Sequence, residues 1–355
     1  MNVKPLRNLW LKTMWISGVL ALIGAGCAGG GSSSALNSLV PRAIGPQPGA
    51  TGPPSPNPTG SAAPSAAPNP QPSRSPQATP SPTSIPTGVT GVPNAAHVSV
   101  LIMENENYSA LVAAGPPYLL GSLKPASAWF TQAYAVAHKS QPNYFALFAG
   151  TTEGLSGGGQ STDACPPAGA PYSADIAAEA IAGGFTFAGW VEDNIAWNAC
   201  NYSRNDPAGA PLQVNRHTPW VNFSDVPHSV VHDWPPGSVP DVSANITFLI
   251  PSQMDNMHDS TIGYGDAYLA SIVPGIMAYD AANNGLLVIL WDEADADNTN
   301  GGGHIAMLLV GPMIKPGSYS QTVNDYNVLR TIEDIYRLPY LGATGGAAAL
   351  SGIWR

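Results

Sequence analysis

The stretch His97-Val98-Ser99-Val100-Leu101-Ile102-Met103-Glu104-Asn105-Glu106-Asn107 runs from a short apolar segment directly into acids and amides. An apolar run of this length, bounded by polar residues, reads as a strand buried on both faces. Four further runs have the same character, at 185–191, 246–250, 286–291 and 305–310. Stretches with helical character separate them, notably 174–182, 266–282 and 326–336. Strands alternating with helices predict an α/β domain, a three-layer α/β/α sandwich around a mostly parallel central sheet. Ligands of such sheets bind outside the carboxyl ends of the strands. The residues that follow each apolar run are therefore the first place to look for chemistry.

The run at 286–291 is followed by Asp292-Glu293-Ala294-Asp295-Ala296-Asp297. With Glu104 and Asn105, two separate strand ends thus deliver carboxylate and amide oxygens to one edge. Hard oxygen donors in this number suit one divalent cation such as Mg²⁺, Ca²⁺ or Mn²⁺. Solvated loop acids are the competing reading, since most Asp and Glu stay in water. Between the two ends lies His138-Lys139-Ser140-Gln141-Pro142-Asn143-Tyr144. Here Ser140 is expected to cap a helix with Pro142 in its first turn. A hydroxyl at that end of a helix suits an anionic ligand or nucleophilic attack, and an ordinary cap is the plainer alternative. His258 lies in Asp255-Asn256-Met257-His258-Asp259, and His304 follows Gly301-Gly302-Gly303. Either could hold a phosphoryl oxygen or protonate a leaving group. His97, His217, His228 and His232 are read as surface histidines. Gly154-Leu155-Ser156-Gly157-Gly158 matches a nucleophile elbow only formally, because no apolar strand leads into it. Asp295 and Asp297 form no EF-hand, whose twelfth-position Glu is missing.

Charge is unevenly placed. All 23 acidic residues begin at Glu104, and the segment 94–355 sets eight basic residues against them, a net charge of −15. Phosphate-backbone binding needs clustered Lys and Arg, so nucleic acid is excluded as a partner. Any site for a phosphate needs its own local positive charge. Lys4, Arg7 and Lys12 precede an apolar stretch at 14–25, which is the layout of a secretory signal and short for a membrane span. It ends in Gly24-Ala25-Gly26-Cys27, which permits lipidation of Cys27 as well as plain cleavage. Residues 28–93 are mostly Gly, Ser, Ala, Pro, Thr and Gln, with sixteen of the 36 prolines between Pro41 and Pro93. Such a segment buries too little to offset chain entropy and is expected to be a tether. The expected organisation is a signal segment at 1–27, a linker at 28–93 and one catalytic domain at 94–355. An exported chain with Cys27 set apart leaves Cys165 and Cys200 as a disulfide pair, with two free thiols as the alternative.

Met103-Glu104-Asn105, Ser140-Gln141-Pro142-Asn143-Tyr144, Asp255-Asn256-Met257-His258-Asp259 and Trp291-Asp292-Glu293, in that order, resemble the bacterial phosphoesterase family. That family holds secreted acid phosphatases, phosphatidylinositol-3-phosphatase-like enzymes and phosphocholine-type phospholipases C, within the alkaline phosphatase-like superfamily. The resemblance implies metal ligation by Glu104, Asn105, Ser140, Asp292 and Glu293. It implies Ser140 as nucleophile, and His258 and His304 beside the substrate, one as general acid. Asn105, Asn143 and Asp259 become substrate-binding candidates. The expected activity is hydrolysis of phosphate monoesters through a phosphoserine, on a small phosphate ester or a phospholipid head group, at the cell surface or outside the cell. A phospholipase C-type phosphodiesterase and a non-catalytic surface lipoprotein are the rivals. One departure is Lys139, where relatives are expected to carry Pro.

Overall fold

The computed structural model describes residues 91–155, 165–166, 171–193, 203–205 and 211–355. The signal segment, Cys27, the tether up to residue 90, Ser156 and Cys200 lie outside the described residues.

Among the described residues, ten strands run in chain order: β1 (His97–Met103), β2 (Ala128–Tyr134), β3 (Phe187–Glu192), β4 (Ser203–Asn205), β5 (Pro211–Val214), β6 (Val231–Trp234), β7 (Ile246–Ile250), β8 (Gly285–Trp291), β9 (His304–Val310) and β10 (Gly317–Tyr319). The helices are α1 (Tyr108–Ala114), α2 (Lys124–Ala126), α3 (Ser140–Ala149), α4 (Ile176–Ala182), α5 (Ile262–Asn283) and α6 (Asp325–Tyr336). Eight strands form one sheet in the order β10-β2-β9-β8-β1-β7-β3-β6, and β4 and β5 form a separate antiparallel pair. Within the sheet β9 alone runs against its neighbours, between β8 and β2. All other pairings are parallel. This is the mostly parallel sheet that the alternating pattern predicts.

Strands β7 and β8 are buried along their whole length, and β1 and β9 at all but the first residue. Burial of consecutive residues, which point to opposite faces, means that both faces are covered. Helices α4 and α6 both pack on α3, while α5 lies against β8. The helix ends follow local chemistry. Asp175 caps α4 by accepting from the backbone N–H groups of Ala177 and Ala178, and Asn324 and Asn327 close a capping box on α6. Among the described residues no helix is long and apolar enough to cross a membrane.

The direction of the strands decides where polar residues gather. The carboxyl ends of β1, β2, β3, β7 and β8 share one edge with the amino end of β9. That edge receives Glu104, Ser140, the loop at 252–259, Asp292 and His304. The 301–303 turn is pinned there by close approach. A Cβ on Gly302 would stand 2.1 Å from the Ala137 carbonyl oxygen, so only glycine fits against the chain leading to Ser140.

Candidate active site

Register brings the first pair of acids together. Met103 of β1 is opposite Trp291 of β8, so Glu104 and Asp292 leave adjacent strands side by side and on the same face. The Asp292 backbone N–H donates to the Met103 carbonyl at 2.9 Å, and the Glu104 N–H donates to the Asn256 carbonyl at 2.8 Å. Three strand ends are thus tied at one point. Asn105 follows with φ 53°, in the left-handed region, and its N–H donates to Asp292 Oδ1 at 3.2 Å.

Ser140 meets these acids from the start of α3. Its hydroxyl donates to Glu104 Oε2 at 3.1 Å and lies 3.5 Å from Glu293 Oε1. It is the first helical residue and makes no side-chain cap; Lys139 occupies the cap position instead. That differs from the expected cap and leaves the hydroxyl for the acids. Lys139 adopts φ 76°, and its N–H donates to Glu293 Oε2 at 2.8 Å. Proline can do neither, which explains why it is absent here. Lys139→Pro is expected to destabilise the protein by about 3 kcal/mol and to cut activity sharply. A thermal melt alongside a rate measurement checks this.

His138 completes this side. Its Nε2 faces the Asp297 carbonyl at 2.7 Å, so that nitrogen carries a hydrogen. Its Nδ1 faces Glu293 Oε2, also at 2.7 Å, and one proton lies between the two. On the far side the Tyr144 hydroxyl donates to Glu104 Oε1 at 2.5 Å. His217 stacks on Tyr144 with its Nε2 3.2 Å from Glu104 Oε1. That nitrogen is close enough for an ion pair but not aligned for a hydrogen bond. His217 is fully buried, which corrects its assignment as a surface histidine.

The electrostatics are those of crowded acids. Burial, and then the charges of Glu104 and Glu293, hold the Asp292 carboxyl well above the usual range. Burial also raises Glu104, against hydrogen bonds and the charge of His258 that favour its ionised form. Burial, and then the charge of Arg216, pull the His217 imidazole well below its ordinary range. Among the described residues, the buried Asp292 Oδ2 has no hydrogen-bond partner. Positive charge comes from Arg216 and from the amino end of α3.

The remaining candidates divide. His258 Nδ1 is held by Asp259 Oδ1 at 2.8 Å, and its charge reaches Glu104. Asp259 therefore orients His258. Asn143 is committed to backbone: Oδ1 accepts from the N–H groups of Val136 and Ala137, and Nδ2 donates to the carbonyls of Ala137 and Lys139. It shapes the turn before Ser140 and has no hydrogen-bonding group left for a substrate. His304 stacks on Tyr108 at 4.1 Å and lies 5.0 Å from Tyr134, with its Nε2 buried and without a hydrogen-bond partner among the described residues. It stands on the same edge without a hydrogen bond to Ser140 or the acids. The Asp297 carboxylate accepts from the N–H groups of Thr299 and His304, at 2.9 Å each, and from the Thr299 hydroxyl, so it organises its own loop.

Tyr144, His138 and His217 were not singled out by the motifs. Tyr144 follows Ser140 by one helical turn, a spacing that puts both on one face. His217 stands in no motif and reaches Glu104 through tertiary packing alone.

The sequence profile of the Phosphoesterase family matches residues 119–339. A phosphatidylinositol-3-phosphatase from Mycobacterium tuberculosis is 34% identical over 269 residues, covering 75% of this chain and 85% of its own. Among solved structures, a protein in the alkaline phosphatase superfamily from Vibrio parahaemolyticus superposes with a TM-score of 0.48 at 12% identity, over 70% of this chain and 69% of that one. The C-terminal periplasmic domain of EcEptC from Escherichia coli, solved with Zn, gives 0.42 at 13% identity, over 70% and 84%.

Proposed function

The chain belongs to the phosphoesterase family and is a phosphatase, and from that premise we propose an exported, metal-dependent phosphomonoesterase that works through a phosphoserine at Ser140. The observation that carries this reading is the Ser140 hydroxyl, seated at the start of α3 against Glu104 and Glu293.

A divalent cation is the second part of the proposal. Among the described residues no three His, Cys, Asp or Glu side chains stand ready to hold a metal ion. The donor chemistry nevertheless fits one. Three buried acids crowd a hydroxyl, burial raises the proton affinity of Glu104 and Asp292, and among the described residues Asp292 Oδ2 has no donor. Glu104, Asp292, Glu293 and Ser140 Oγ would hold the cation, with Asn105 beside them. When bound, it supplies positive charge against the phosphoryl oxygens and lowers the proton affinity of the hydroxyl.

The chain's own residues account for the rest. Glu104 Oε2 accepts the Ser140 hydrogen as Oγ bonds to phosphorus. The bond from phosphorus to the ester oxygen breaks, and protonated His258, oriented by Asp259, gives its proton to the departing alcohol. Water then gives a proton to His258 as its oxygen bonds to phosphorus, the bond from phosphorus to Oγ breaks, Glu104 returns its proton to Oγ, and inorganic phosphate leaves. Arg216 and the amino end of α3 supply the positive charge that a phosphate needs on so acidic a domain.

By likeness to the mycobacterial relative, a phosphoinositide monophosphate is the proposed substrate class. A membrane tether through Cys27 and a disulfide between Cys165 and Cys200 belong to the same proposal, because both follow from export. The test is a panel of phosphate monoesters, diesters and phosphoinositides, each with and without chelator. Turnover of monoesters that stops on chelation is expected. Turnover of diesters alone would make the enzyme a phosphodiesterase, and full activity after exhaustive chelation would remove the metal.

A further inference from the structure

A second pair of acids stands one strand away from the catalytic cluster. Glu192 ends β3 and is fully buried, and Asp255 lies in the loop that follows β7. Both are held by one residue. The Ser252 N–H donates to Glu192 Oε2 at 3.0 Å, and the Ser252 hydroxyl donates to Asp255 Oδ2 at 2.7 Å. Tyr268, on α5, also donates to Glu192 Oε2, at 3.0 Å. Glu192 Oε1 has no donor among the described residues, and the Asp255 carboxyl stands within hydrogen-bonding reach of the Glu192 carboxyl. Two carboxylates cannot hydrogen-bond, whereas an acid and a carboxylate can. Among the described residues, Asp193, Tyr264 and Tyr268 are the other titratable groups that face the pair, and none of the three brings positive charge. Burial, then the Asp255 charge, push the Glu192 carboxyl up to about 8.

The loop at 252–259 reaches the catalytic cluster. Its Asn256 carbonyl accepts from the Glu104 N–H, and Asn256 Oδ1 accepts from the His258 N–H at 2.8 Å. Further along, the Asp259 N–H closes onto the Gln253 carbonyl at 2.8 Å. Met257, next to His258, holds φ 82°, a conformation that persists only where surrounding contacts enforce it.

We infer that Glu192 and Asp255 share a single proton, and that this carboxyl–carboxylate hydrogen bond holds the loop in the position that presents His258 and anchors Glu104. The two are positioning residues; neither touches the substrate. When the proton leaves, the buried Glu192 carboxylate faces the half-buried Asp255 carboxylate and the loop is pushed off. The linkage sign follows from the raised Glu192 value. The folded protein keeps a proton that the unfolded chain releases near pH 4.3. Stability from the pair is therefore full below that pH, and is lost as pH rises towards about 8.

The effect on turnover rests on the phosphatase reading, whereas the effect on the loop does not. Glu192→Gln supplies a permanent N–H to Asp255 and keeps acceptors for Ser252 and Tyr268. The ratio of its kcat to that of the unaltered protein is expected near one at pH 6 and about tenfold higher one unit above the pair's titration. Any other titrating group acts in both proteins and cancels in the ratio. Hydrogen exchange at the Ser252, His258 and Asp259 amides reads the loop without substrate. In the unaltered protein, protection is expected to drop above pH 8 beyond the ordinary base-catalysed trend, and in Glu192→Gln to persist. Asp255→Asn, which donates in the opposite sense, serves if the first variant fails to fold. A constant kcat ratio, or loop protection in the unaltered protein that shows no extra loss above pH 8, overturns the inference. Absence of turnover in every protein, with the loop behaving as expected, would instead count against the phosphatase reading.

Discussion

Ser140→Ala is expected to remove phosphomonoester turnover by at least about 10³-fold while leaving the fold in place. The fold survives because the hydroxyl does not cap α3; it donates to Glu104 and neighbours Glu293, and both acids keep other donors. Glu104 still receives Tyr144, and Glu293 still receives the Lys139 N–H and His138. The lost hydrogen bond costs stability only about 1 kcal/mol. A far-UV spectrum and melting curve like those of the unaltered protein, beside an absent rate, is the expected combination. Retained turnover would move the nucleophile elsewhere.

The second large effect concerns Asp292, where activity and stability should move in opposite directions. Its carboxyl is raised by burial first and by Glu104 and Glu293 next. The metal-free folded state therefore retains a proton that the unfolded chain gives up near pH 3.9. Stability of the metal-free protein must fall as pH rises from there towards the raised folded value. Asp292→Asn has no such proton to lose. Without cation its melting temperature is expected to exceed that of the unaltered protein, by a margin that widens with pH. Each kcal/mol gained shifts the midpoint by about 2–4 °C in a domain of this size. With cation added the order should reverse, because binding to the folded state stabilises only the protein that can bind. Cation affinity and turnover are expected to drop on the order of 10²-fold. A melting series over pH, with and without Mg²⁺, Ca²⁺ or Mn²⁺, checks both halves. An Asn variant that still gains stability from the cation would remove Asp292 from the metal set.

The parts of the fold that were legible are those where burial alone dictates residue type. Strands β1 and β7 coincide with the apolar runs because polar residues bound them on both sides. Strand β3 lies one to two residues further along than its run, and α5 extends beyond the expected helix at both ends. Strand β2 escaped, since a register irregularity between Phe130 and Ala133 breaks its pattern and leaves Thr131 and Gln132 half-buried. The reversed direction of β9 has no local signature either; it follows from pairing with β8 and β2.

The site was legible to the extent that strand-tip position implies it. Glu104, Asp292 and Glu293 do converge on Ser140, because parallel strands deliver their carboxyl ends to one edge. Asn143 illustrates the limit: residue type cannot say whether an amide faces a substrate or ties down a turn, and here backbone groups claim it. His217 illustrates another, since 113 residues of chain separate it from Glu104 and only packing joins them. Arg216, beside it, supplies positive charge that no motif flagged.

The most direct test of the account is chemical trapping of the intermediate. The protein, turning over a phosphate monoester in the presence of divalent cation, would be quenched in acid, digested and examined by mass spectrometry. Phosphate on the peptide that contains Ser140, absent when the cation is chelated before mixing and absent in Ser140→Ala, is the predicted result. Rapid turnover with that peptide unmodified, or with phosphate carried on a histidine, would contradict it.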